Sequence, residues 1–138
     1  SVCQQAIFSS SAQVREFLQA KIARLEHEVF LCLYLDASNR LIECQELFRG
    51  SIDRTAIYPR EIIKESLNRN ASALVVAHNH PGGNPLPSPA DELITQELCQ
   101  ALHWVNIVLL DHYIVAKHGF FSFSDAGLLN RGLKDSNH

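Results

Sequence analysis

The strongest constraint on the fold lies in the passage from Ala73 to Asp91. Ala73-Leu74-Val75-Val76-Ala77 is continuously apolar and is followed at once by His78-Asn79-His80 and by Pro81-Gly82-Gly83-Asn84-Pro85-Leu86-Pro87. A short apolar run bounded by loop residues predicts a strand covered on both faces, here delivering His78 to its end. The segment after it cannot be regular structure, because three prolines remove donors and two glycines loosen the backbone. Ser88-Pro89-Ala90-Asp91 then reads as N-cap, N1, N2 and N3 of a helix whose apolar stripe is Leu93, Ile94, Leu98 and Leu102.

The remaining elements follow from periodicity. Val14, Phe17, Leu18, Ile22 and Leu25, after the cap-like run Ser9-Ser10-Ser11, predict a first helix ending near His27. Val29 to Leu35 is a β-prone run, Asp36 to Asn39 is turn material and Leu41 to Phe48 returns, which makes a hairpin. Gly50 breaks that pattern, and Pro59 stands at the N1 position of a second helix with Ile62, Ile63 and Leu67, ending near Asn70. Val105 to Leu110, Tyr113 to Ala116 and Phe120 to Phe123 predict three more strands joined by tight turns. The order α-β-β-α-β-α-β-β-β fits a three-layer α/β/α domain around a mixed sheet, one domain over residues 1–138 with its core at about 11–129.

Composition narrows the function classes. At 138 residues, 46% apolar and 20% charged, the chain fits one compact soluble domain. A formal charge of −3 lacks the positive field of a nucleic-acid binder, so direct DNA contact is disfavoured. No apolar run approaches the ~18 residues that cross a bilayer and no basic-apolar leader is present, so no membrane partner and a cytoplasmic location are expected. Cys3, Cys32, Cys44 and Cys99 are far apart with no CxxC pair and read as structural thiols. The chain begins at Ser1 and has no methionine, which fits either a removed initiator or an excised piece of a longer protein.

Residues i and i+2 of an extended segment point to the same side, so His78 and His80 aim both imidazoles at one point past the strand end. Two neutral nitrogens suit zinc, and a catalytic zinc commonly takes three protein ligands and a water. Asp91 at the start of the next helix is the candidate third ligand, reached if the Pro/Gly loop folds back. Two neutral histidines and one carboxylate leave the ion about +1 with an open position, where bound water can approach a pKa of ~7. A lone histidine at a strand end is usually just a partly buried polar residue, and Ser88-x-x-Asp91 has its own structural reading as a capping box. The two roles of Asp91 compete only partly, since a carboxylate offers several lone-pair positions.

His78-Asn79-His80-Pro81 followed by Ser88-Pro89-Ala90-Asp91 resembles the JAMM motif, E…HxHP…SxxD, of the JAB/MPN metallopeptidases. Tyr58-Pro59-Arg60-Glu61, Ala77 to Gly82 and Leu110-Asp111-His112-Tyr113-Ile114-Val115 resemble stretches of its bacterial RadC-type branch, and the likeness runs from about Ser11 to Leu129. The resemblance implies a layered fold like that of the zinc deaminases, Zn2+ held by His78, His80 and Asp91, and Ser88 helping the oxyanion. It also calls for an acidic general base at the start of the first strand. Glu28 matches that place and Glu26 is its rival; the structural alternative for Glu28 is an exposed helix-end residue, although a negative charge there opposes the helix dipole.

The implied activity is a zinc-dependent metallopeptidase or isopeptidase acting on a peptide or protein. The alternative is a RadC-type accessory module in DNA repair or mobile-element maintenance with little hydrolysis, and a weaker third reading is a nuclease using the same centre. RadC-type proteins often carry an upstream helix-hairpin-helix segment for which 138 residues leave no room, so the chain reads as a short member or the JAB domain alone. The consecutive His-Asn-His is not the dispersed triad of an HNH nuclease, and the HxE with PCxxC, HxHxDH and HExxH patterns are absent. His112 could orient a ligand from behind or be simply structural, while His27, His103, His118 and His138 read as surface residues. Arg60, Lys64 and Arg69 alternate with Glu61 and Glu65, as on a solvated face.

Overall fold

The computed structural model describes residue 8 and residues 10–50 and 57–129. Ser10 caps helix α1 (Ser11–Ile22), its hydroxyl accepting from the Gln13 N–H, and Val14, Leu18 and Ile22 face inward. The helix stops short of the predicted end near His27: the Leu25 N–H closes a turn on the Ile22 carbonyl, and the carbonyls of Leu25 and His27 turn to the side chain of Asn79 instead. Strands β1 (Glu28–Leu35) and β2 (Leu41–Gly50) form the expected hairpin, with the Asp36 carboxylate accepting from the N–H groups of Ser38 and Arg40. Asn39 takes the left-handed conformation at that turn, which its short polar side chain tolerates.

Helix α2 (Pro59–Asn68) begins with proline at its first position as expected. Its buried side is Ile62 and Ser66, with Leu67 turned out. Strand β3 (Ala73–Asn79) is buried along its whole length. Helix α3 (Pro89–Trp104) buries Asp91, Ile94, Thr95, Leu98, Cys99 and Leu102, whereas Leu93 of the predicted stripe is exposed. The inner face is centred on positions 91, 95, 98 and 102, which brings a carboxylate and a hydroxyl inward.

One continuous strand, β4 (Val108–Ala116), replaces the two strands expected on either side of Asp111-His112. These two polar residues do not form a turn because both are satisfied inside: the Asp111 carboxylate accepts from the His112 and Ser124 N–H groups and the Ser122 hydroxyl. Strand β5 (Gly119–Ser122) closes the sheet.

The strand order is β2-β1-β3-β4-β5, with β3 and β4 parallel and the other pairs antiparallel, so the sheet is mixed. Val29, Leu31, Leu33, Val75, Ala77 and Val115 pack on one face with the apolar side of α1. Phe30, Cys32, Tyr34, Leu74, Val76 and Ile114 pack on the other with α2 and α3. The result is the three-layer α/β/α arrangement. No helix among the described residues is long and apolar enough to cross a membrane.

Burial raises the thiols of Cys32 and Cys99 to about 12 and about 11, as core positions would. Cys44 instead stands in a disulfide, which corrects the expectation of a thiol at that position. Arg69 also leaves the expected solvated face. Its guanidinium pairs with Glu43 and Glu65 and lies over the Tyr34 ring at 4.8 Å.

Candidate metal centre

The centre forms where β3 runs out. His78 is fully buried on the α3 side of the sheet, Asn79 faces the opposite way, and His80 returns to the first side just past the strand. Strand-like pairing carries through the exit, because the His80 N–H donates to the Val115 carbonyl at 2.9 Å. The two rings lie 4.9 Å apart, with their Nε2 atoms 3.1 Å from each other.

Asp91 enters from the N-terminus of α3. Its Oδ1 lies 3.4 Å from His78 Nε2 and its Oδ2 3.3 Å from His80 Nε2. The capping box is also formed, with the Ser88 hydroxyl accepting from the Asp91 N–H at 3.1 Å and the Ser88 N–H donating to Asp91 Oδ2 at 2.9 Å. Both expected roles of this carboxylate therefore coexist. Burial alone would raise the Asp91 carboxyl, but in the metal-free protein hydrogen bonds from His78 and His80, the charge of His78 and the Ser88 N–H outweigh it and hold the group well below the usual carboxylate range.

One donor atom from each of His78, His80 and Asp91 lies within 4.8 Å of the others, a group that could hold a metal ion. The donor set fits. His80 Nδ1 sits 2.7 Å from the Asn84 carbonyl, which only accepts, so Nδ1 carries a proton and Nε2 is the nitrogen left to offer a lone pair to a bound metal. A second imidazole nitrogen and an ionised carboxylate facing that lone pair make a site suited to a divalent cation with nitrogen and oxygen preferences.

Glu28 and Glu26 separate clearly. Glu28 opens β1 and is buried, whereas Glu26 is exposed. Glu28 is thus no exposed helix-end residue, and the helix-dipole argument for it lapses because α1 ends at Ile22. Phe30 pairs with His78 across the antiparallel β1–β3 ladder and stacks on its ring, so Glu28, two residues earlier, lies on the same face and toward the same end. Ser88 stands beside Asp91; its oxygen accepts the cap bond, which leaves the hydroxyl proton available to donate.

Sequence reasoning missed several supports. Asn79, the middle residue of the histidine pair, accepts from the Val29 N–H at 2.7 Å and donates to the His27 carbonyl at 3.0 Å, clamping the segment that leads through Glu28. Alternation along the strand was the available signal, since the residue between two ligands must face the other layer. Thr95 is a further such support, and it reaches His78 through His112, whose reading as a residue that orients a ligand the sequence did offer: His112 Nε2 lies 2.9 Å from His78 Nδ1 and His112 Nδ1 2.6 Å from Thr95 Oγ1. The loop from Pro81 to Pro87, which carries Asn84, docks on the first residue of β5: a Cβ at Gly119 would stand 2.7 Å from Pro85 Cγ.

Comparison with known proteins covers most of the chain. A family model described as the RadC-like JAB domain matches residues 8–128. A UPF0758 protein of Aromatoleum aromaticum is 54% identical over 124 residues, covering 89% of this chain and 55% of that relative. A UPF0758 protein of Leptothrix cholodnii is 46% identical, covering 93% of the chain and 58% of the relative. One of Vibrio cholerae is 50% identical, covering 88% and 77%. The chain thus spans little more than half the length of the first two.

Proposed function

Starting from a chain that belongs to the RadC-like JAB domain family, we propose a zinc-dependent hydrolase of the JAMM type that cleaves a peptide or isopeptide bond. The observation that carries this reading is the convergence of His78 Nε2, His80 Nε2 and the Asp91 carboxylate on one point. These three residues would hold the metal. Zinc, when bound, supplies Lewis acidity toward a water and a carbonyl oxygen.

The protein's own groups do the rest. Glu28 accepts a proton from the attacking water and passes it to the leaving amine, one carboxylate serving as general base and then general acid. The Ser88 hydroxyl donates to the developing oxyanion from beside the cap. Burial of Glu28, His78 and Asp91 keeps bulk water from competing for these bonds. A peptide or protein substrate and a cytoplasmic location belong to the same proposal. The accessory-module alternative, acting through DNA contact, has weaker support from a net charge of −3.

The test is a peptide-library screen of zinc-loaded wild type against Glu28→Gln. Loss of the base should lower turnover by ~10²–10⁴. Equal cleavage by both would remove Glu28 from the mechanism, and no cleavage by either would remove the hydrolase reading.

A further inference from the structure

We propose that Thr95 and His112 form a buried relay that fixes the ring of His78 in the tautomer whose Nε2 lone pair faces the metal position. Both would be positioning residues of the centre, and the inference rests on the metal-site reading above. His112 lies on β4, where its parallel register opposite Val76 puts its ring on the same sheet face as His78. It is fully buried, stacks on Phe123 at 4.5 Å and meets the edge of Phe30 at 5.8 Å.

The direction of each hydrogen bond follows from the end of the chain of contacts. Thr95 Oγ1 lies 2.7 Å from the Asp91 backbone carbonyl, which has no proton to give, so the threonine hydroxyl donates there. The alternative would leave two oxygens facing each other lone pair to lone pair at that distance. With its proton committed, Thr95 Oγ1 can only accept from His112, at 2.6 Å, so His112 carries its proton on Nδ1. Full burial keeps the His112 ring neutral, so with its proton on Nδ1 its Nε2 accepts, 2.9 Å from His78 Nδ1, which donates to it. A proton of His78 is thereby placed on Nδ1, which leaves Nε2, beside His80 and Asp91, as the nitrogen that would offer its lone pair to a bound metal.

The relay also closes a loop through the fold. It begins at the backbone of Asp91 on α3, crosses Thr95 on the same helix and His112 on β4, and ends on His78 of β3. Two of the three candidate ligands, from a helix and a strand, are held by one line of hydrogen bonds. Outer-shell partners of this kind typically change metal affinity by about 10–100-fold when removed.

Thr95→Val keeps the side-chain shape and deletes the hydroxyl, while Thr95→Ser keeps the hydroxyl. Zinc affinity would be measured by chelator competition, and the histidine tautomers by long-range ¹H–¹⁵N NMR on metal-free and zinc-loaded protein. Thr95→Val should weaken zinc binding by about 10–100-fold and give mixed His112 tautomers, with Thr95→Ser close to the wild type. In the wild type, His112 should be protonated on Nδ1 alone. A wild-type His112 protonated on Nε2, or Thr95→Val affinity equal to the wild type, would overturn the relay. A wild type that binds no zinc would instead overturn the metal-site reading, and the His112 tautomer would still decide whether the relay exists.

Discussion

His78 and His80 are two residues apart and aim at the same point, yet they are held by different kinds of structure. His78 stands inside the sheet with no exposed side-chain surface, stacked on Phe30 and backed by His112. His80 stands past the strand end, its side chain 17% exposed and its Nδ1 held by the carbonyl of Asn84 in a loop. Half of the centre is therefore part of the core, and half hangs on a connection that can yield. Replacing the first histidine should disturb the fold, and replacing the second should disturb only the site.

The sharpest way to break that contrast is to remove each ring in turn. His78→Ala should cost roughly 2–4 kcal/mol, since it empties a fully buried position and leaves His112 without its donor. His80→Ala should stay within about 0.5 kcal/mol while weakening zinc binding as much. Equal stabilities in a denaturant titration would contradict the division.

Asn79 lies between the two and tests the opposite face. Asn79→Ala leaves the Val29 N–H and the His27 carbonyl without the side-chain partner they now have, at a cost of about 1–3 kcal/mol. Because that clamp sets the path into Glu28, turnover should fall while zinc affinity holds, measured on the same sample. On the loop side the effect should be smaller: Gly119→Ala pushes on Pro85 and, through it, on Asn84 and His80. Zinc affinity should drop by less than about tenfold, below the effect at Thr95.

The smallest expected effect is a pH slope, and here two buried aspartates differ in sign. The Asp91 carboxyl is held below its ordinary value, so in metal-free protein its contribution is present above about pH 4 and is lost as pH falls. Burial raises the Asp111 carboxyl despite its hydrogen bonds, so this group favours the folded state more as pH falls through its folded pKa. Acid titration of stability should therefore be flatter in Asp91→Asn than in the wild type and steeper in Asp111→Asn.

What was legible in the sequence was local. The histidine pair, the capping box and the Pro/Gly loop all fall within a short span, so spacing alone places them, and the three-layer order follows from the periodicity of each segment. The relay was not legible, because it depends on the parallel pairing of β3 with β4, which brings His112 beside His78 across 34 residues. Asp111-His112 looked like a turn because neither residue's partners are near in sequence. Thr95 carried a readable signal, four positions after Asp91 and hence on the same helix face. The end of α1 differs for a related reason, since the turn after it is held from a distant strand, by the Asn79 side chain on the carbonyls of Leu25 and His27.

The central claim is that His78, His80 and Asp91 form one metal site. It is tested most directly by the zinc content of wild type and Asp91→Ala prepared side by side without chelator. We expect one zinc per wild-type chain and none retained by the variant. A wild type without zinc, or an Asp91→Ala protein that keeps its full complement, would contradict it.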